Sequence, residues 1–261
     1  MNRHRASRWV GAIALAAATL TSASALAQAP PTPDGKPPTP RHTGVRATLK
    51  GVVIDLANLP SVPNLMIAGI GGGVALGLHP IDDDANRRFA GSGSTQRFFT
   101  PGKYLGQTYT LSAVSLTIYA VGRVRDEPKV SHVGMDLLRS VVLSQELTQA
   151  LKYATQRERP DGRDHHSFPS GHASTTFAVA TALERHFGWK AWVPAYTFAT
   201  YVASSRLHEN RHHVSDVAFG AAVGIIAGRT VTRHGRDRFE FTMAPQPHGV
   251  YLAMAMKSGN Q

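Results

Sequence analysis

The sequence contains no cysteine. This absence excludes disulfide bonds, thiolate zinc sites and thiol nucleophiles, so packing must stabilise the fold. Acidic residues are also scarce, since 17 Asp and Glu stand against 28 Lys and Arg, which gives a formal net charge of +11. Such an excess predicts an anionic partner. Because no nucleic-acid-binding motif is present, an anionic membrane surface or a phosphorylated substrate fits better than nucleic acid.

The two ends of the chain differ in composition from its centre. Residues 1–27 combine an arginine-rich start with a short apolar run and end in ALA, which is typical of a cleaved signal peptide; an uncleaved anchor is the alternative. Residues 28–47 are rich in proline and predict an extended linker. We therefore expect a periplasmic protein with a helical domain over residues 48–232. In the tail, residues 233–261, two short runs predict a β-hairpin.

Alanine, leucine and valine dominate the central part, which predicts an all-α fold. The stretches Leu56–Ile81 and Tyr104–Gly122 carry no formal charge, and the second is long enough to cross a bilayer. The mean hydropathy of −0.17 nevertheless favours a soluble or membrane-surface bundle of about six helices over an integral membrane protein. Further helices are predicted near residues 137–153, 171–187, 191–207 and 213–229.

Three short motifs carry the candidate chemistry, and the first contains Lys152, Arg159 and Pro160. Because Lys152 and Arg159 are seven residues apart, a helix that ends at Pro160 would place both cations on one face, where they could bind an anion. A solvated helix face is the more common meaning of such a pair on its own.

The second motif is the sequence PSGH. Ser170 and Gly171 precede a predicted helix, whose free N–H groups would bind an oxyanion near the glycine. Ser170 could instead be an ordinary N-cap. The positive helix end should lower the pKa of His172 and a bound anion should raise it again, which suits a general acid.

The third motif contains Ser205, Arg206, His212 and Asp216. On a helix, a spacing of four residues lets Asp216 reach one ring nitrogen of His212 and present the other nitrogen as a nucleophile. An ordinary His–Asp helix pair is the alternative. Gly220 and Gly224 follow one turn apart and predict close helix packing rather than dimerisation.

Two clusters offer metal sites as alternatives. His208 and His212 are four residues apart, and Glu209 lies between them as in the zinc-protease motif HExxH. The cations of the three motifs would nevertheless repel a metal ion and attract phosphate. The run Asp82–Asp84 is interpreted as negative charge at a helix N-terminus.

Together the three motifs resemble the signature of the type 2 phosphatidic acid phosphatase superfamily. That superfamily includes lipid phosphate phosphatases, bacterial class A acid phosphatases and vanadium-dependent haloperoxidases. The resemblance covers residues 152–216. It implies a helical bundle with a phosphate pocket at one end that works without a metal or other cofactor.

The resemblance also implies a role for each motif residue. His212 would attack phosphorus and form a phosphohistidine, Asp216 would orient His212, and His172 would protonate the leaving alcohol. The implied reaction is hydrolysis of a phosphate monoester or diphosphate, carried on a lipid such as phosphatidic acid or an isoprenyl diphosphate. The alternatives are a vanadate-dependent haloperoxidase and a non-catalytic phosphate-binding envelope protein. The phosphoryl oxygens would be held by Lys152, Arg159, Ser170, Gly171 and Arg206.

Overall fold

The structure is a computed structural model that describes residues 44–91, 94–233, 238–246 and 249–257. The expected signal peptide lies outside the described residues, as does most of the expected linker. The described residues form the following elements: α1 Val45–Asn58, α2 Val62–Leu78, a 3₁₀ turn His79–Ile81, α3 Asp82–Phe89, α4 Ser94–Leu105, α5 Thr108–Val124, α6 Pro128–Thr155, α7 Gly171–Phe187, α8 Trp189–His208, α9 Val214–Val231, β1 Arg238–Gln246 and β2 Gly249–Lys257.

The fold is all-α, as the composition predicts, with one antiparallel hairpin of β1 and β2 after the last helix. The helix predicted near residues 171–187 has those bounds as α7, and it ends at Gly188, whose φ of 72° suits a residue without Cβ. Two expectations are corrected. The described part of the chain holds more than six helices, and the helix predicted from Leu137 begins earlier, at Pro128.

Helix α9 forms the centre of the bundle, and nearly all of its residues are buried. Its glycines Gly220, Gly224 and Gly228 form one stripe against α7. A Cβ atom at any of them would lie within 2.7 Å of a backbone oxygen of α7 or of its N-cap residue. The close helix packing predicted at Gly220 and Gly224 is therefore confirmed, and Gly228 extends it.

Among the described residues, two stretches are apolar and long enough to cross a membrane, and they differ in burial. Val214–Val231 is 89% buried and is the core helix, whereas Val62–Phe89 is only 22% buried. Helices α1, α2 and α5 carry many large apolar residues that are at least half exposed, among them Leu49, Val53, Leu65, Met66, Leu76, Val114, Leu116 and Val124.

The chain connections bring the three motifs to one end of the bundle. Helix α6 ends where the loop 156–170 begins, and α7 starts directly after that loop. The short loop 209–213 joins α8 to α9 at the same end. Helix α4 packs closely on α8 at this end. A Cβ atom at position 102 would lie 2.7 Å from the side chain of Ser205, so the glycine permits this close contact.

Candidate active site

His212 lies in the loop before α9 and is only 3% exposed. Its Nδ1 is 2.8 Å from the carbonyl oxygen of Ser167. A carbonyl oxygen only accepts, so Nδ1 carries the proton and Nε2 presents a lone pair. Burial, aided by the charges of Lys152 and Arg159, outweighs the opposing effect of Asp216 and lowers the pKa of His212 to about 3. The imidazole is therefore neutral at pH 7, as a nucleophile must be.

Asp216 supports His212 less directly than the sequence predicts. His212 precedes α9, so the two residues do not share a helix, and the Nδ1–Oδ2 distance is 3.7 Å, too long for a hydrogen bond. Ser167 connects them instead. Its Oγ donates to Asp216 Oδ2 at 2.5 Å, while its carbonyl oxygen accepts from His212. The prediction of a direct contact within one helix is corrected, because the helix starts at Val214.

Two of the predicted cations lie beside His212. Lys152 occupies the last turn of α6, is 6% exposed and donates to the carbonyl oxygen of His166. Arg159 Nη1 lies 3.1 Å from Nε2 of His212, within donating distance. Helix α6 ends at Thr155, so Arg159 reaches the site from a loop and not from the same helix face, which corrects the helical reading of this motif.

The charge of Lys152 is sensitive to its surroundings. Burial, together with repulsion from Arg159, lowers the pKa of Lys152 to about 8, although Asp216 and Asp164 oppose the shift. Arg159 Nε donates to Asp164 Oδ1 at 2.7 Å, which fixes the guanidinium group. The two cations are thus held close together against their repulsion, an arrangement that a phosphoryl dianion would stabilise.

Ser170 and Arg206 present polar atoms that have no protein partner. Ser170 is the residue before α7, but its side chain makes no capping bond. Its Oγ is buried and unpaired, so Ser170 occupies the N-cap position without capping the helix through its side chain. Arg206 donates from Nη1 to Glu209 at 2.7 Å, whereas its Nε is buried and unpaired. Buried polar atoms are rarely left unpaired, and phosphoryl oxygens would pair both.

His172 stands in the first turn of α7, as predicted, with Gly171 before it. Its Nε2 lies 3.0 Å from the carbonyl oxygen of Lys103 in α4, so Nε2 carries a proton. Burial, followed by repulsion from Arg206, lowers the pKa of His172 to about 4. The pKa of His172 is lowered, as the sequence predicts. The main causes are burial and the charge of Arg206 rather than the positive end of the helix.

Sequence reasoning missed Arg157 and Asp82. Arg157 Nη1 donates to Asp216 Oδ1 and its Nη2 donates to Asp82 Oδ2, both at 2.7 Å. Asp82 also accepts from the backbone N–H of Ser215 at 2.9 Å. Asp82 does begin α3, as the interpretation of the aspartate run requires, but it also links the loop 156–170 to the start of α9. In the sequence, Arg157 could have been noticed as a further arginine within the first motif, two residues before Arg159.

The metal alternative for His208 is not formed. Its Nε2 lies 2.9 Å from Thr95 Oγ1, and its ring stacks on Phe99, so α4 occupies the ring nitrogen that would bind an ion. Within the described part of the chain, the one group of His and Asp atoms close enough together to hold a metal ion lies elsewhere, at His132, Asp136 and His186.

Over part of its length, the chain is similar to known lipid phosphatases. Lipid A 1-phosphatase of Porphyromonas gingivalis is 38% identical over 157 residues, which cover 57% of this chain and 33% of that protein. A probable lipid phosphate phosphatase beta of Arabidopsis thaliana is 37% identical over 92 residues, 24% of this chain and 42% of that protein. The chain thus spans less than half the length of these relatives.

A solved structure shares the fold. The transmembrane PAP2 type phosphatidylglycerolphosphate phosphatase from Bacillus subtilis superposes with a TM-score of 0.52 at 20% identity, over 71% of this chain and 92% of that one. The family model of the PAP2 superfamily matches residues 133–240, which include every motif residue from Lys152 to Asp216. In this segment, the chain is similar to the PAP2 superfamily.

Proposed function

We propose that the protein is a metal-independent phosphatase that hydrolyses a lipid phosphate through a phosphohistidine at His212. One observation carries the proposal: a buried, neutral imidazole presents its unprotonated Nε2 beside Arg159, at a distance of 3.1 Å. Lys152 and Arg159 supply positive charge around it, and Arg206 adds positive charge beside His172, as phosphoryl transfer requires. The same charge opposes a catalytic metal ion.

The proposed reaction has two steps. Nε2 of His212 attacks phosphorus, a P–N bond forms, and the P–O bond to the leaving alcohol breaks as His172 gives its proton to the leaving oxygen. Water then attacks the phosphohistidine and gives a proton to His172, which releases inorganic phosphate and neutral His212. Ser170 and the backbone amide of Gly171 would donate to the phosphoryl oxygens.

The protonation of His172 would follow from substrate binding. Its pKa of about 4 makes it neutral at pH 7 in the free protein. A phosphate group bound beside it would offset the charge of Arg206 and raise the pKa of His172 again. His172 would therefore carry its second proton only when a substrate is present, and free protein would not bind a proton there.

Two observations support a lipid as the carrier of the phosphate. The relatives described above are named as phosphatases of lipid A and of lipid phosphates. The large apolar side chains exposed on α1, α2 and α5 would lie against membrane lipid, and the positive net charge suits an anionic membrane surface. With the signal peptide expected at residues 1–27, we propose that the site acts on the periplasmic side.

The test is phosphate release by the purified full-length chain in detergent with EDTA. Substrates would be p-nitrophenyl phosphate, phosphatidic acid, an isoprenyl diphosphate and lipid A. His212→Ala would be compared with His165→Ala, a control in an exposed position of the neighbouring loop. We expect release that survives EDTA, disappears in His212→Ala and persists in His165→Ala, with a lipid substrate preferred.

Other results would redirect the proposal. Release that requires a metal, or that survives in His212→Ala, would overturn the mechanism. Preference for p-nitrophenyl phosphate over all three lipids would overturn the lipid substrate alone. Oxidation of halide by the vanadate-loaded protein, without phosphate release, would replace the phosphatase with the haloperoxidase alternative.

A further inference from the structure

A second buried polar cluster lies near the other ends of α6 and α7. His132 and Asp136 are one turn apart in α6, and His186 stands in the last turn of α7. Their exposures are 2%, 0% and 8%. Nε2 of His132 lies 3.2 Å from Asp136 Oδ2, and Nε2 of His186 lies 2.9 Å from the same oxygen.

The three atoms form a triangle of the size that a metal ion requires. All of them lie within 4.8 Å of one another. In a tetrahedral zinc site with bonds of about 2.0–2.1 Å, neighbouring ligand atoms are about 3.3 Å apart. The two measured His–Asp distances are close to that value. We infer that His132, Asp136 and His186 bind a divalent transition-metal ion, and the two imidazoles with one carboxylate favour Zn²⁺.

The other carboxylate oxygen of Asp136 is already fixed. Arg139 Nη1 lies 3.3 Å from Asp136 Oδ1, and Arg139 also donates to both oxygens of Asp55 in α1, at 2.8 and 2.5 Å. Gly51 makes room for the guanidinium group, since a Cβ there would be 2.7 Å from Arg139 Cζ. Ligating carboxylates usually have such outer partners, which orient them. Asp55 also offsets the charge of Arg139, so the arginine does not prevent cation binding.

The inferred ion would have a structural role. It would join α6 to α7, and Arg139 would extend the link to α1. His132 is 20 residues before Lys152 in one continuous helix, which separates them by about 30 Å at 1.5 Å per residue. An ion at this distance takes no part in phosphoryl transfer, so this site and a metal-independent reaction are compatible.

The test is a titration with Co²⁺ of the full-length protein, stripped with EDTA and then freed of chelator. Tetrahedral Co²⁺ gives visible d–d bands that report both binding and geometry. We expect one Co²⁺ per chain, displaced by Zn²⁺. Saturating Zn²⁺, at about 100 times its Kd, should raise the thermal midpoint by about 5–10 °C.

Variants assign the ion to this cluster. His132→Gln and His186→Gln each remove one ligand at similar volume, and we expect both to lose the Co²⁺ bands and the Zn²⁺-dependent rise in midpoint. His165→Gln, in an exposed loop position, should keep both. If one of the two ligand variants does not fold, the other variant still shows whether the ion binds at this cluster. Absence of the bands in the natural sequence, or their persistence in either ligand variant, would overturn the inference.

Discussion

The two ends of α6 and α7 hold buried clusters built from the same residue types but with opposite charge. At one end, Lys152, Arg159 and Arg206 surround a neutral histidine. At the other end, Asp55 and Asp136 accompany Arg139 and two histidines. The charge balance around an imidazole, and not the imidazole itself, decides whether it meets an anion or a cation. The comparison therefore predicts phosphate at the first cluster and a metal ion at the second.

The two clusters also differ in how completely their polar atoms are paired. At the phosphate end, Ser170 Oγ and Arg206 Nε are buried without a partner. At the other end, both oxygens of Asp136 have partners within 3.3 Å. Unpaired donors are costly unless a ligand completes them. The phosphate end is thus incomplete without its ligand, whereas the opposite cluster is held together before an ion arrives.

The largest expected effect on kcat tests whether His172 donates a proton or only adds to the binding of the phosphate group. His172→Ala should lower kcat on a lipid phosphate by about 10²–10⁴-fold, because the leaving alkoxide then lacks its proton. The loss should be much smaller with p-nitrophenyl phosphate, whose leaving group needs no proton. Steady-state kinetics on both substrates would measure this. Equal losses on both would show that His172 only positions the phosphate.

The next effect tests the indirect support of His212. Ser167→Ala keeps the carbonyl oxygen that accepts from Nδ1 but removes the hydroxyl that donates to Asp216. We expect kcat to fall by about 10–100-fold with little change in KM, as for other residues that orient a reacting group without touching the substrate. Asp216→Asn, measured beside it, should cost at least as much. An unchanged kcat in Ser167→Ala would mean that Asp216 acts on His212 directly.

A smaller effect concerns the pH dependence of the cationic end. The pKa of Lys152 is lowered to about 8, so its charge is present below that pH and is lost as the pH rises through it. We expect kcat/KM to fall above about pH 8. Lys152→Arg should move this fall to higher pH, since an arginine stays charged. Profiles of kcat/KM between pH 6 and 10 would show it, and an unmoved alkaline limb would assign the fall to another group.

The smallest expected effect on kcat is that of metal removal, which tests whether the two clusters act independently. Removal of metal should leave kcat at 25 °C unchanged within about twofold, because the inferred ion lies about 30 Å from Lys152 along α6. The thermal midpoint of the same sample should fall. Parallel assays of activity and unfolding would measure both quantities, and a loss of kcat at 25 °C would contradict the separation of the two ends.

The family resemblance implied which side chains lie together, and residue spacing did not predict how they contact one another. The resemblance implied a pocket at one end of a helical bundle, and the bounds of α7 follow from its PSGH start and Gly188. The helical geometry proposed for Lys152–Arg159 and for His212–Asp216 was wrong, since loops carry Arg159 and His212. Loop backbones have no periodicity from which direction could be predicted.

The supporting contacts were missed for a different reason. Ser167, Arg157 and Asp82 act through tertiary contacts between segments up to 133 residues apart. The His132–Asp136–His186 cluster likewise joins two helices, and only the spacing of four between its first two members is visible in the sequence. A single sequence shows local patterns, whereas these sites depend on which helices pack together.

The most direct test of the account is to trap the covalent intermediate. EDTA-treated protein would be mixed with a phosphate-labelled lipid substrate, quenched within one turnover under alkaline conditions that preserve phosphohistidine, and mapped by mass spectrometry. The account predicts acid-labile label on His212 that appears before inorganic phosphate and is absent in His212→Ala. Turnover without label on His212, or label on another residue, would contradict it.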